Sequence, residues 1–211
     1  MNIVSEKTPA DSSSKNAANP RNRKPVTRAA TRADLPLVHE RLMEAIETSP
    51  FYNDEFKKFE KQNMNMGFLH TLFNIDPYHL MLFISDEEVA GFMITSPQFG
   101  SIWLHWTYVF PEKRRASLTV SGFRNMVEHW DNGRFHKIST YTRPGNGVSA
   151  ILKRYKFELT CTLENHMFGE DYLLYERKLN KAIPGYDTGV GSMGLRGRIR
   201  NLFASILPGR H

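Results

Sequence analysis

Val109-Phe110-Pro111-Glu112-Lys113-Arg114-Arg115-Ala116-Ser117-Leu118-Thr119 joins a strand to a helix, and the character of this turn decides the fold. Upstream, Ser101–Val109 (SIWLHWTYV) is dense in aromatic and β-branched residues, the composition of a strand. Downstream, Leu118, Phe123, Met126 and Val127 repeat at helical spacing and predict a helix over about Ser117–Asp131. Small residues at such a turn leave backbone N–H groups free. The helix start adds its own unpaired N–H groups and the positive end of its dipole, which together form a site for a phosphate or pyrophosphate. Arg114 and Arg115 would add charge-assisted contacts. Taken alone, the stretch fits a solvated basic turn better, because basic loops before helices are common.

Working outward, Val26–Thr31 alternates as a short strand. Arg32-Ala33-Asp34-Leu35-Pro36 then opens a helix, with Asp34 as N-cap and Pro36 in the first turn. Leu37, Val38, Leu42 and Ile46 carry it to about Thr48. A second helical zone is expected from about Asn53 to Phe73, with Phe56, Phe59, Met64, Phe68, Leu69 and Leu72 as its apolar members. Tyr78–Ser85 and Val89–Ser96 read as a hairpin turning at Asp86-Glu87-Glu88, and Pro97-Gln98-Phe99-Gly100 separates it from Ser101–Val109. His136–Tyr141 follows as a strand, Gly147–Tyr155 as a short helix, and Leu159–Met167 with Tyr172–Leu179 as a final strand pair. This succession predicts an α+β fold with a central mixed, mostly antiparallel sheet flanked by helices.

Four segments occur in one order: Arg28–Pro36 (RAATRADLP), Glu88-Val89-Ala90-Gly91-Phe92, Val109-x-Pro111-x-x-Arg114-x-x-Ser117-x-Thr119, and Asn146-x-x-Ser149-x-x-Leu152 leading to Phe157. Over about residues 26–180 the chain thereby resembles the GNAT superfamily of N-acyltransferases. The resemblance implies a GNAT-like fold and acetyl-CoA as co-substrate, its pyrophosphate on the amides of the turn. Arg114, Arg115, Ser117, Leu118, Thr119 and Asn146 are the implied binding residues, with pantetheine docking beside a splayed strand near Val109. Ser117 and Thr119 stand where the family has glycines, and a Cβ there restricts close approach and positive φ, so weaker binding is expected. In the later segment Leu152 takes the family's tyrosine position and Lys156 its glycine, while Tyr155, one helical turn away, substitutes as general acid only if the helix is rotated or reregistered, and is otherwise an ordinary helix-packing residue.

Acyl transfer to an amine also needs a group to accept the ammonium proton. The resembled enzymes often place a glutamate on the splayed strand or the next, whereas Ser101–Val109 holds no carboxylate. His105 is the one side chain there that titrates near neutrality, and it is nominated as base; a packed histidine between Trp103 and Trp106 is the alternative. Glu164 and Glu170 on the final hairpin are remote substitutes. The acceptor, a small-molecule or protein amine, is expected on an apolar surface including Phe51, Tyr52, Phe56, Met64 and Met66.

Composition limits the alternatives. At 211 residues with 40% hydrophobic side chains, the chain can bury one domain's core. A single cysteine, Cys161, excludes a disulfide framework, and His129, Asp131 and His136 are too irregularly spaced to suggest a metal site, so no metal is expected. The longest apolar runs, such as Leu80–Ile84, fall far short of the ~20 residues of a membrane span. No secretory signal is read at the N-terminus, and a soluble, cytoplasmic protein is expected.

The net charge of +6 is concentrated at the ends: +5 in residues 1–32, +3 in 182–211 and −2 between them. Residues 1–25 read as a disordered basic leader, 26–181 as the GNAT-like domain, 182–194 as a Gly-rich linker. In 195–211, Leu195, Ile199, Leu202, Phe203, Ile206 and Leu207 form one face of a basic amphipathic helix. Two functional readings follow. One is an acetyl-CoA-dependent N-acyltransferase. The other is a catalytically degenerate GNAT-like assembly module, such as a virion-associated phage component docking through its tails. Nucleic-acid binding by the tails is disfavoured, because aromatics are not interleaved with the charges.

Overall fold

The computed structural model describes residues 26–114 and 116–180. The leader, the linker and the basic C-terminal segment anticipated from composition lie outside these residues, as does Arg115.

Strand β1 (Val26–Ala29) leads through a 3-10 turn into α1 (Leu35–Thr48). Asp34 does not cap α1. Its carboxylate accepts from the Thr31 N–H and hydroxyl, both at 2.7 Å, and forms a two-pronged pair with Arg28 at 2.8 and 2.9 Å. These contacts hold the Asp34 carboxyl well below the usual carboxylate range, the Arg28 hydrogen bond contributing most. The expected second helical zone is two helices, α2 (Asp54–Asn63) and α3 (Met66–Ile75). Two asparagines explain the split. Asn53 Oδ1 accepts from Phe56 N at 2.9 Å and Asn65 Oδ1 from Phe68 N at 3.0 Å, so each starts its own helix.

Strands β2 (Leu80–Ser85), β3 (Glu88–Gln98) and β4 (Ser101–Val109) form an antiparallel meander. Its hairpins turn at Asp86-Glu87 and Phe99-Gly100, all with positive φ. Helix α4 (Ala116–Trp130) crosses to β5 (Lys137–Thr142), the parallel neighbour of β4. Helix α5 (Val148–Arg154) precedes the hairpin of β6 (Glu158–Met167) and β7 (Glu170–Lys178). The sheet order is β1-β2-β3-β4-β5-β7-β6, antiparallel at every pairing except β4–β5. It is the mixed, mostly antiparallel α+β sheet that the sequence predicts.

Each face of the sheet carries a core. Met81, Phe83, Ile102 and Leu104 join Leu118, Phe123 and Trp130 of α4 and Leu152 of α5 in one. Leu80, Leu82, Phe92 and Ile94 join Leu42, Ile46, Leu69 and Leu72 of α1 and α3 in the other. The alternation along β2 sends successive side chains to opposite cores. Among the described residues no helix is long and apolar enough to cross a membrane.

Candidate active site

The site is made where β4 leaves β5. Their parallel ladder runs only from Ser101↔Lys137 to Leu104↔Thr140, closed by a 2.9 Å hydrogen bond from the Thr140 hydroxyl to the Leu104 carbonyl. Beyond it β4 stays paired with β3 as far as Gly91↔Val109. Phe110 N donates to Ala90 O at 2.9 Å, so its N–H faces β3. By the alternation of a strand, the N–H groups of Thr107 and Val109 then face the gap left by β5.

The β3–β4 register slips between Ile94↔Trp106 and Thr95↔Leu104, leaving His105 as a bulge residue. The bulge switches the parity of the strand. Ile102 and Leu104 point to the α4 core, whereas Trp106, Tyr108 and Phe110 point to the α1–α3 core. Gly91 lets β3 approach this end of β4. A Cβ there would lie 2.3 Å from the Tyr108 carbonyl oxygen and 2.9 Å from Val109 Cα.

Two chambers flank the bulge and share Tyr52, Leu104, His105, Trp106 and Tyr141. The first, about 270 Å³, lies in the splay between Thr107 and Thr142, and continues into an outer cleft of about 650 Å³ past Val109, Arg114 and Thr119. The hydroxyls of Thr107 and Thr142 are buried and have no hydrogen-bond partner among the described residues. Such atoms call for a polar partner, whether water or a ligand group. The second chamber, about 520 Å³, lies between β4, α2 and β7 and is walled largely by aromatic rings.

The residues anticipated for the coenzyme are distributed unevenly. Val109, Arg114, Thr119 and Asn146 line the outer cleft. Ser117 is exposed in the first turn of α4, while the Leu118 side chain is buried in the core and leaves only its backbone for binding. Neither Ser117 nor Thr119 has positive φ, since both lie within α4, so their side chains bring none of the backbone strain expected from replacing glycine. Asn146 also has a structural task, its Oδ1 accepting from Val148 N at 3.2 Å.

Tyr155 lies apart from these linings. Its hydroxyl donates to the Val120 carbonyl and its ring stacks on Phe123, joining α5 to α4. Leu152, at the position where the resembled family has tyrosine, lines the first chamber instead. His105 lines both chambers; its Nε2 is 2.7 Å from Ser96 Oγ and its ring meets Phe68 edge-on. Burial lowers its pKa to about 4, so it is neutral at pH 7.

Of the acceptor residues expected from sequence, Tyr52, Phe56 and Met64 line the second chamber, Phe51 lines the first, and Met66 packs against the α1–α3 core. Sequence reasoning missed Glu60, on the same face of α2 as Phe56. It is buried in the second chamber and accepts a 2.7 Å hydrogen bond from the Trp106 indole. Its signal was a charged residue four positions after Phe56 on an otherwise apolar face. Glu170 is ion-paired with Arg143, and Glu164 is exposed beside it. His129 stacks on Tyr78 and Asp131 accepts from Asn180; among the described residues no three His, Cys, Asp or Glu side chains converge on a metal position.

Solved structures share this architecture. The ribosomal-protein-alanine N-acetyltransferase from Brucella melitensis matches with a TM-score of 0.60 at 20% identity, over 73% of this chain and 99% of that one. A putative acetyltransferase of the GNAT family from Desulfovibrio desulfuricans gives 0.55 at 15%, over 74% and 99%. A putative acetyltransferase from Salmonella typhimurium, solved with its cofactor acetyl-CoA, gives 0.56 at 13%, over 75% and 96%. No family model matches the sequence, and no curated protein matches it. The match runs over nearly the whole length of these acetyltransferase structures, and the mixed sheet of this chain, opened between β4 and β5, has the fold of the GNAT N-acyltransferases.

Proposed function

We propose that the protein is an acyl-CoA-dependent N-acyltransferase that passes an acetyl group to an amine by direct attack within a ternary complex. The observation that carries this reading is the splay itself, which sets on facing strands two buried hydroxyls, Thr107 and Thr142, that have no partner among the described residues. Those hydroxyls fit the amides of a pantetheine arm. Arg114 and the free N–H groups in the first turn of α4, with Ser117, Leu118 and Thr119, fit a diphosphate. When bound, acetyl-CoA supplies the activated acyl thioester.

The chain's own contribution is positional and electrostatic. The Thr107 and Val109 N–H groups, unpaired on the β5 side, are the donors for the acyl carbonyl oxygen. The Leu152 side chain makes the inner wall apolar and excludes water. His105, neutral and set between the chambers, is the proton acceptor that the strand itself offers, with basicity reduced by burial.

Thermal denaturation with acetyl-CoA tests the reading. A hundredfold excess over the dissociation constant should stabilise the protein by about 2.7 kcal/mol. Arg114→Glu should abolish the shift by placing like charge beside the diphosphate. No shift at millimolar acetyl-CoA would favour the assembly-module reading, which the absent strand carboxylate and Leu152 at the tyrosine position already suit.

A further inference from the structure

The second chamber combines a wall and a charge that belong to one kind of guest. Tyr52 stacks on Phe56 with ring centroids 4.3 Å apart and meets Trp106 edge-on at 5.7 Å. Phe56 in turn faces Tyr172 at 6.2 Å, and Trp103 and Met64 complete the enclosure. Into this apolar space projects Glu60, only 9% exposed. Its Oε1 accepts a hydrogen bond from the Trp106 indole N–H, and among the described residues it forms no ion pair. Desolvation raises its pKa.

Among the described residues no Lys or Arg lines the chamber; Arg143, outside the lining, lies 5.2 Å over the Tyr172 ring. Tyr52 is pushed up to about 12 by burial, Tyr172 is raised for the same reason, and His105 is neutral at pH 7. A buried carboxylate without a counter-ion is destabilising unless a cation arrives. Aromatic faces attract cations as well. The chamber is therefore complementary to a single ammonium carried on an apolar body. It suits neither an anion nor a chain of several charges. Its volume, about 520 Å³, lies within the range of small-molecule sites.

We infer that the acceptor is a small aryl- or alkyl-amine with one ammonium group, and that Glu60 on α2 anchors this ammonium. The inference rests on the acyltransferase reading for its purpose, but the chamber's selectivity is measurable without it. Glu60 brings a carboxylate into the chamber from a helix remote in sequence. The proton passes from the ammonium nitrogen to the neutral His105 imidazole, which lines both chambers, leaving a neutral amine to meet the acyl group in the splay.

The test is direct titration of the full chain with 2-phenylethylamine, 3-phenylpropionate and spermidine, followed by calorimetry and tryptophan fluorescence, with and without coenzyme A. Trp103 and Trp106 in the chamber wall make the fluorescence local. The amine should bind in at least one of the two conditions, and the other two probes at least tenfold more weakly. Glu60→Gln keeps an oxygen for the Trp106 indole and should weaken the amine at least tenfold. Phe59, half exposed at the rim, provides a second variant that does not depend on the core: Phe59→Lys should also weaken the amine. Unchanged amine binding in both variants, or 3-phenylpropionate binding as tightly as the amine, would overturn the inference. Because these readouts measure amine capture, they fail separately from the acetyl-CoA shift.

Discussion

The two sides of the cleft are held open by different means. On the side we propose for the coenzyme the determinants are backbone features: the end of the β4–β5 ladder, the close approach at Gly91, the first turn of α4 and the cap that ends α5. On the side we propose for the acceptor they are side chains buried against one another: Trp106 on Glu60, His105 on Ser96, Tyr52 on Phe56. The difference predicts different vulnerabilities. The first side should respond to changes in backbone geometry, and the second to changes in protonation and ring packing.

The largest effect is expected at Gly91. Its missing Cβ faces backbone atoms of Tyr108 and Val109, which cannot swing aside as a flexible side chain can. Gly91→Ala should therefore push β4 away at the mouth of the splay and destabilise the protein by about 3 kcal/mol. That corresponds to a Tm lower by roughly 10 °C, read by calorimetry. The acetyl-CoA response should fall with it, while the tryptophan environment of the aromatic chamber persists. An unperturbed Tm would show that the close approach does not set the splay.

Acid should act on the other side. Ser96 and Thr95, adjacent on β3, hold His105 and His79 at 2.7 and 3.0 Å. Burial lowers His105 to about 4 and, against the attraction of Asp76, His79 to about 3. The folded state thus disfavours both imidazolium forms. Their contribution to stability is complete above the unfolded value of ~6.5 and is lost as pH falls below it. At pH 5 each histidine should have removed about 2 kcal/mol, before Asp34 and Asp76, both lowered, begin to titrate. Glu60, raised by burial, works in the opposite direction and slightly offsets the loss. Urea unfolding at pH 7.5 and 5 measures the slope, and His105→Asn should remove about half of it. An equal slope in that variant would mean that the bulge histidine is not desolvated.

The same division decides what could be read from the sequence. The coenzyme side is local: strand, turn and helix are contiguous from Ser101 to Trp130, so composition and one motif place Val109, Arg114 and Thr119 on a common cleft. The acceptor chamber draws on α2, β4, β5 and β7, which share no sequence neighbourhood. Tyr52, Phe56 and Met64 could be recognised as an apolar surface, but Glu60 looked like one more charge on an amphipathic helix. Only the Trp106 indole, 46 positions away in sequence, shows that this carboxylate points inward. The bulge at His105 was equally hidden, because strand parity carries no sign of a one-residue slip until both cores are assembled.

The smallest effect tests the backbone side most cleanly. Helix α5 ends in a Schellman arrangement: Phe157 N donates to Leu152 O at 3.0 Å and Lys156 N to Lys153 O at 3.0 Å, with Phe157 and Leu152 buried together in the core. The residue that must turn left-handed is Lys156, at φ 59°, where the resembled family has glycine. A Cβ in that conformation costs about 1 kcal/mol, partly offset because glycine loses more freedom on folding. Lys156→Gly should stabilise the protein by about 0.5–1 kcal/mol and raise Tm by roughly 2 °C, whereas Lys156→Ala keeps the strain and should not. The acetyl-CoA shift should be unchanged, since Val148, Ile151 and Leu152 would keep their places along the cleft. Equal stabilities for the glycine and alanine variants would show that the cap is unstrained, and the coenzyme side would then owe less to backbone geometry than the acceptor side owes to its buried pairs.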